Sequence, residues 1–315
     1  MYTTAEGVAI VRVIGKGPTM KTCQATPPLR SANLDEFLRQ GKAMLTRGPV
    51  ALIFAEDGVE LASTLQHHLD KGFRETVLFG AGALTLPETL AGRVHRVDFQ
   101  VSGRASVAEV VTRVSAEAPG TWFYWGYNAE YLFYPFAETR SVGELLAFHA
   151  EERRDAMVTY VIDLYAGDLA ATPTGVARDD AFFDRIGYFS LDRHGEGNER
   201  LERQQDIYGG LRWRFEEHVS PELRRIDRVG LFRAKPGLEL REDFTFSDPE
   251  YNTIACKWHH NLTAAVCSFK AAKALKANPG STHAIDSFRW QNSVPFKWSS
   301  AQLLELGFIE PGQWF

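Results

Sequence analysis

The chain has 315 residues, 44% of them apolar, enough for a sizeable core in one large domain or two ordinary ones. Its net charge of −5 gives no electrostatic footprint for nucleic acid, and no apolar run approaches the ~20 residues of a membrane span. Three cysteines make no disulfide framework, and the first residues lack the charged and apolar regions of a secretory signal, so a reducing cytoplasm is the expected setting.

In chain order, Val8 to Ile14 alternates as a strand, and Asn33 caps a helix that ends near Arg47-Gly48. Val50 to Ala55 is a continuous apolar run closed by Glu56-Asp57-Gly58. A helical pattern from Val59 to Lys71 follows, then a strand from Thr76 to Phe79 and a turn at Gly80-Ala81-Gly82. Strand, acidic turn, helix, strand and glycine turn make a βαβ signature. A strand at Arg93 to Phe99 and a helix at Val107 to Ala118 lead to Thr121 to Pro135, the stretch the rest is organised around. It opens with the large aromatics of a buried strand and breaks at Asn128-Ala129-Glu130. Polar side chains delivered at the carboxyl end of a buried strand sit where open α/β sheets place ligands.

Farther on, a helix is expected at Val142 to Glu152 and a strand at Ala156 to Leu164. The polar, glycine-punctuated segment from Thr172 to Gln204 reads as a lid or excursion over a cleft. In Gly209 to Phe215, read as a strand, Arg212 and Arg214 alternate to one face. Val229 to Arg233 is a strand, Ala264 to Ala277 a helix, and the aromatic C-terminal segment packs back. Cys256, His259, His260 and Cys267 lack the repeated short spacings of strong zinc sites.

The apolar strand of Val50 to Ala55, its acidic turn, and the helix carrying Leu65-Gln66-His67-His68 resemble the start of family 2-like glycosyltransferases of the GT-A fold. Trp122 to Leu132 stands in the place of that family's Trp-rich strand and Asp-x-Asp motif. Phe183-Asp184, Gly209 to Arg214 and Ser268-Phe269-Lys270 follow in a similar order, so the likeness runs from Pro49 to Lys276. It implies a Rossmann-like GT-A nucleotide-diphospho-sugar transferase fold, with a mainly parallel central sheet flanked by helices. The implied organisation is an N-terminal extension over 1–48, the transferase domain over 49–276 and an aromatic tail over 277–315.

The motif is degenerate. In one register Tyr127 and Ala129 replace the two aspartates and only Glu130 survives; in the register one residue away, Asn128 and Glu130 form the pair. Such a pair offers oxygen ligands to Mg²⁺ or Mn²⁺, which neutralises the charge developing on a diphosphate leaving group. Glu56, Asp57, Gly80 and Asn128 are the expected nucleotide-binding residues. Arg212, Arg214, His259, His260 and Lys270, with Lys257, are candidates for phosphate or acceptor binding. Glu130 and Asp184 are the expected catalytic carboxylates, with Asp163, Asp168 and Glu216 as further candidates for the base of an inverting transfer.

Three functions follow from this reading. The first is transfer of a sugar from a nucleotide sugar to a glycan, lipid or protein acceptor. The second is a GT-A-like carbohydrate- or protein-binding module without catalysis, and the third is a nucleotidyltransferase, which shares the sheet and the diphosphate.

Overall fold

A computed structural model describes residues 27–254 and 261–314. The strand expected at Val8 to Ile14, and Cys23, Cys256, Lys257, His259 and His260, lie outside the described residues. The first half alternates: β1 (Arg30–Ser31), α1 (Leu34–Leu45), β2 (Val50–Ala55), α2 (Leu61–Asp70), β3 (Glu75–Gly80), α3 (Glu88–Ala91), β4 (His95–Asp98), α4 (Arg104–Ala116) and β5 (Trp122–Tyr127). Next come β6 (Glu130–Phe133), α5 (Val142–Glu151), β7 (Ala156–Asp163), β8 (Tyr165–Ala166), β9 (Ala181–Asp184), β10 (Phe189–His194), β11 (Arg200–Tyr208) and α6 (Gly210–Arg214). The chain then forms β12 (Asp227–Arg233), β13 (Ala264–Ser268), α7 (Lys270–Ala277), α8 (Pro279–Thr282), β14 (Ser293–Pro295) and α9 (Ser300–Glu305).

Local chemistry explains the clearest of these elements. The Asn33 side chain accepts from the Glu36 amide at 2.9 Å, and Ser141 and Glu144 close a capping box on α5. β2 is buried on both faces. Its Val50, Leu52 and Phe54 pack with Phe37 and Val111 on one side, and Ala51 and Ile53 pack with Leu65 and Leu146 on the other. A strand covered twice needs no polar alternation, which is why it reads as an unbroken apolar run.

Nine strands form the central sheet in the order β1-β4-β3-β2-β5-β12-β7-β13-β6. β1, β4, β3, β2 and β5 run parallel, β12 is antiparallel to both its neighbours, β7 and β13 are parallel, and β6 closes the edge antiparallel to β13. This is a mixed α/β, Rossmann-like architecture with a mainly parallel central sheet flanked by helices. A small sheet, β14-β9-β8, and a hairpin, β10-β11, stand beside it.

Three expected elements differ. Ala264 to Ser268 is a strand although alanine favours helices, because it is buried between β7 and β6, where ladder bonds and packing outweigh propensity. The segment read as an irregular lid holds the buried strand β9 and the hairpin, whose Phe189 to Asp192 are exposed and so lack an apolar periodicity. The segment from Gly209 is one short helix rather than a strand. Side chains two apart then point about 200° from each other, so Arg212 and Arg214 serve different places.

Candidate functional site at the carboxyl edge of the sheet

From β2 the chain steps outward through β3 and β4, whereas β5 lies on the opposite side of β2. The carboxyl ends of β2 and β5 therefore flank a topological switch point, the place where open sheets leave a crevice for ligands. β7 and β13 end on the same edge and the antiparallel β12 begins there. Glu56, Asp57, Asn128, Asp163, Arg228 and Lys270 are thus gathered by topology. A cavity of about 600 Å³ opens at this edge, lined among others by Glu56, Arg104, Arg212, Arg228, Phe244 and Lys270.

Asn128 ties the switch point together. Its Oδ1 accepts from the Glu56 amide at 3.1 Å, and its Nδ2 donates to Asp57 Oδ1 at 2.7 Å and to the Val59 carbonyl at 2.9 Å. Ala129 then takes φ 60°, a left-handed turn, and the chain passes straight into β6 beside β13. Glu130 is fully buried. Arg228 forks onto it, Nη2 to Oε2 at 2.5 Å and Nη1 to Oε1 at 3.3 Å, while the Tyr127 amide and the Ser268 hydroxyl also donate to its oxygens. Burial alone would raise the Glu130 pKa; the Arg228 guanidinium and these hydrogen bonds hold it below the ordinary carboxylate range.

Around this pillar the acidic turn is matched by lysines. Lys270 reaches Glu56 and sits 3.4 Å from the centre of the Tyr127 ring, and Lys273 bonds Asp57 at 2.8 Å. Burial pushes the Asp57 carboxyl up, but Lys273, the Val59 amide and Asn128 bring it below its usual value. Gly80 ends β3 against Ala55 and Leu84 and does not line the cavity.

Arg212 lines the cavity, with its backbone amide 3.3 Å and its Nε 3.5 Å from Asp163. Asp163 is only 1% exposed and its Oδ1 accepts no hydrogen bond among the described residues, so burial raises its pKa to about 6 against the pull of Arg212. Arg214 faces the other way and lies 2.8 Å from Asp184. Asp184 also accepts from Tyr165 at 2.5 Å and Trp290 at 2.7 Å, and it does not line the cavity. Burial pushes its pKa up, with Arg214 and these donors opposing. His67 and His68 pack: Nε2 of His67 lies 2.8 Å from the Leu132 carbonyl, and the buried His68 ring stacks on Tyr124, its pKa lowered by burial to about 4.

The donor set fits a divalent cation poorly. Both Glu130 oxygens are held by Arg228, the Asn128 oxygen already accepts, and among the described residues no three His, Cys, Asp or Glu side chains gather as a metal site would require. Two further residues were not singled out from the sequence. Arg104 opens α4 behind Gly103, whose φ is 90°, and a glycine just before a helix is a sequence signal for it. Arg228 had a weaker one, a charge beside Asp227 at the start of an otherwise apolar strand.

No family model matches the chain, and no curated protein does. Among solved structures, it is similar to Staphylococcus aureus TarS 1-349 in complex with UDP, at 14% identity and TM-score 0.25 over 36% of this chain and 35% of that one. A second structure of S. aureus TarS 1-349 gives 13% identity and TM-score 0.29 over 70% of this chain and 60% of that one. The chain thus spans between about a third and three fifths of the structures it matches.

Proposed function

We propose that the chain is a glycosyltransferase of the GT-A kind, taking a nucleotide-diphospho-sugar into the carboxyl-edge cavity and passing the sugar to an acceptor hydroxyl. The observation that carries this reading is the cavity itself: it lies at the switch point and joins the cationic side chains of Arg104, Arg212 and Lys270 to an apolar wall that includes Phe244 and Leu275. A nucleotide sugar has the matching halves, an anionic diphosphate and a flat base that an apolar wall can cover.

In the transfer, the acceptor oxygen attacks the anomeric carbon as the bond from that carbon to the diphosphate oxygen breaks. The electron pair leaves with the diphosphate, and the hydroxyl proton passes to a carboxylate. Fixed cations at the diphosphate stabilise the charge that develops on it. Glu56, 33% exposed, and Asp243, 53% exposed, line the cavity and are the carboxylates an acceptor can reach. Glu130 lines the cavity, and Asn128 braces the turn that carries Glu56. Asp57 fixes Lys273, and Asp163 and Asp184 hold the two arginines of α6.

The test is to incubate the protein with UDP-, GDP- and CMP-sugars and a panel of glycan, lipid and peptide acceptors, and to identify what is released. Nucleoside diphosphate, or CMP from a CMP-sugar, with a glycosylated acceptor is the expected result. Pyrophosphate released in a parallel incubation with nucleoside triphosphates and sugar 1-phosphates would identify nucleotidyl transfer instead, and binding without any product would leave a non-catalytic module.

A further inference from the structure

We propose that the carboxyl-edge cavity clamps a diphosphate between Arg104, Arg212 and Lys270, with no divalent cation taking part. This deepens the glycosyl-transfer reading and rests on it for the identity of the ligand. The starting point is a mismatch: the two positions that would carry the metal are spent on the protein's own groups, Asn128 on the Glu56 amide and Asp57, and Glu130 on Arg228. A diphosphate's negative charge must then be met by side chains. Arginine suits this, since its charge is permanent and its planar fork matches two phosphate oxygens.

The other ionic groups on the lining are already balanced. Glu130 has Arg228, Asp227 has Arg193 and Arg225, and Asp243 lies 4.0 Å from Arg225. Arg104 is different. Its guanidinium stands 4.8 Å over the Phe244 ring and makes no ion pair or hydrogen bond among the described residues. Burial lowers its pKa first, and repulsion from Arg212 and Arg225 lowers it further, with Tyr127 and Asp243 opposing.

Arg212 spends Nη1 on the Arg225 carbonyl at 3.2 Å and holds Nε 3.5 Å from Asp163, so its Nη2 is left for a ligand. Lys270 is paired with Glu56, but Lys273 lies 3.8 Å from the same carboxylate. Glu56 therefore keeps a cation when Lys270 turns to a phosphate.

The experiment is calorimetric titration of the full chain with inorganic pyrophosphate, UDP and GDP, first in EDTA and then with Mn²⁺, for the wild type, Arg104→Ala and Arg104→Lys. Pyrophosphate and at least one nucleoside diphosphate should bind in EDTA. Arg104→Ala should weaken both about tenfold or more, the loss of one charge-assisted contact, and Arg104→Lys less, with the melting temperature of the free protein unchanged. Binding that appears only with Mn²⁺, binding that ignores Arg104→Ala, or no binding at all would overturn the clamp. Pyrophosphate bound in EDTA without any nucleotide or nucleotide sugar would keep the clamp and remove the glycosyl-transfer reading. Transfer that depends on Mn²⁺ would do the reverse.

Discussion

The guanidinium of Arg228 and the carboxylate of Glu130, 98 residues apart, form a forked ion pair at the carboxyl edge of the sheet, the acid fully buried and the base 5% exposed. Arg228 also stands 4.6 Å over the Trp125 ring, so the pair joins β12, β5 and β6. Breaking it leaves an uncompensated buried charge. Glu130→Ala is expected to destabilise the fold by about 3–5 kcal/mol, and Glu130→Met with Arg228→Met to recover most of that. Urea unfolding of the three proteins measures it; an unchanged midpoint for Glu130→Ala would refute a structural role.

Asn128 is the side-chain partner of the Glu56 amide and the Val59 carbonyl in the turn after β2. Asn128→Ala should cost about 1–3 kcal/mol, because the Glu56 amide and the Val59 carbonyl lose a partner. Asn128→Asp should cost more than Asn128→Ala, since it sets a second carboxylate against Asp57 where an amide now donates at 2.7 Å. Thermal unfolding ranks the two variants, and the reverse order would show that Asp57 can turn away.

Asp163 gives a pH signature with a defined sign. Its pKa is raised from 3.8 to about 6, so the folded state binds this proton more tightly than the unfolded chain does. The contribution is fully present below about pH 4 and is lost as pH rises through about 6, a change on the order of 3 kcal/mol. The stability of Asp163→Asn relative to the wild type should therefore climb between pH 4 and pH 7. A flat difference in the unfolding free energies would mean that Asp163 is ionised throughout.

The two arginines of α6 should separate binding from stability. Arg214→Ala strands Asp184, 2% exposed at its side chain, and is expected to cost about 3–5 kcal/mol with little change in nucleotide affinity of the folded protein. Arg212→Ala should weaken nucleotide binding about tenfold, with a smaller loss of stability, because Asp163 can take up a proton. Paired melting and binding measurements decide; equal effects from both substitutions would mean that α6 acts only as a packing element.

The parallel half of the fold was legible because its signals are local. Val50 to Ala55 and Trp122 to Tyr127 are apolar on both faces, Asn33 carries its own capping chemistry, and the acidic and glycine turns mark where strands end. The sequence also placed Glu56, Asp57 and Asn128 together at one edge, since residues following parallel strands must emerge on the same side of a sheet. Those conclusions follow from periodicity and strand direction alone.

What only the tertiary structure decided is which partner each charge takes. Nothing near Glu130 in the chain announces Arg228, and nothing near Asp184 announces Arg214 or Trp290. Arg212 and Arg214 parted because a five-residue helix replaced the expected strand, and Ala264 to Ser268 became a strand because two neighbours were there to pair with it. The physical reason is common to all of these. Local sequence sets conformation through backbone preference and apolar period, whereas the state of a buried charge depends on groups brought to it across the fold, in a medium where an unpaired ion is too costly to leave alone.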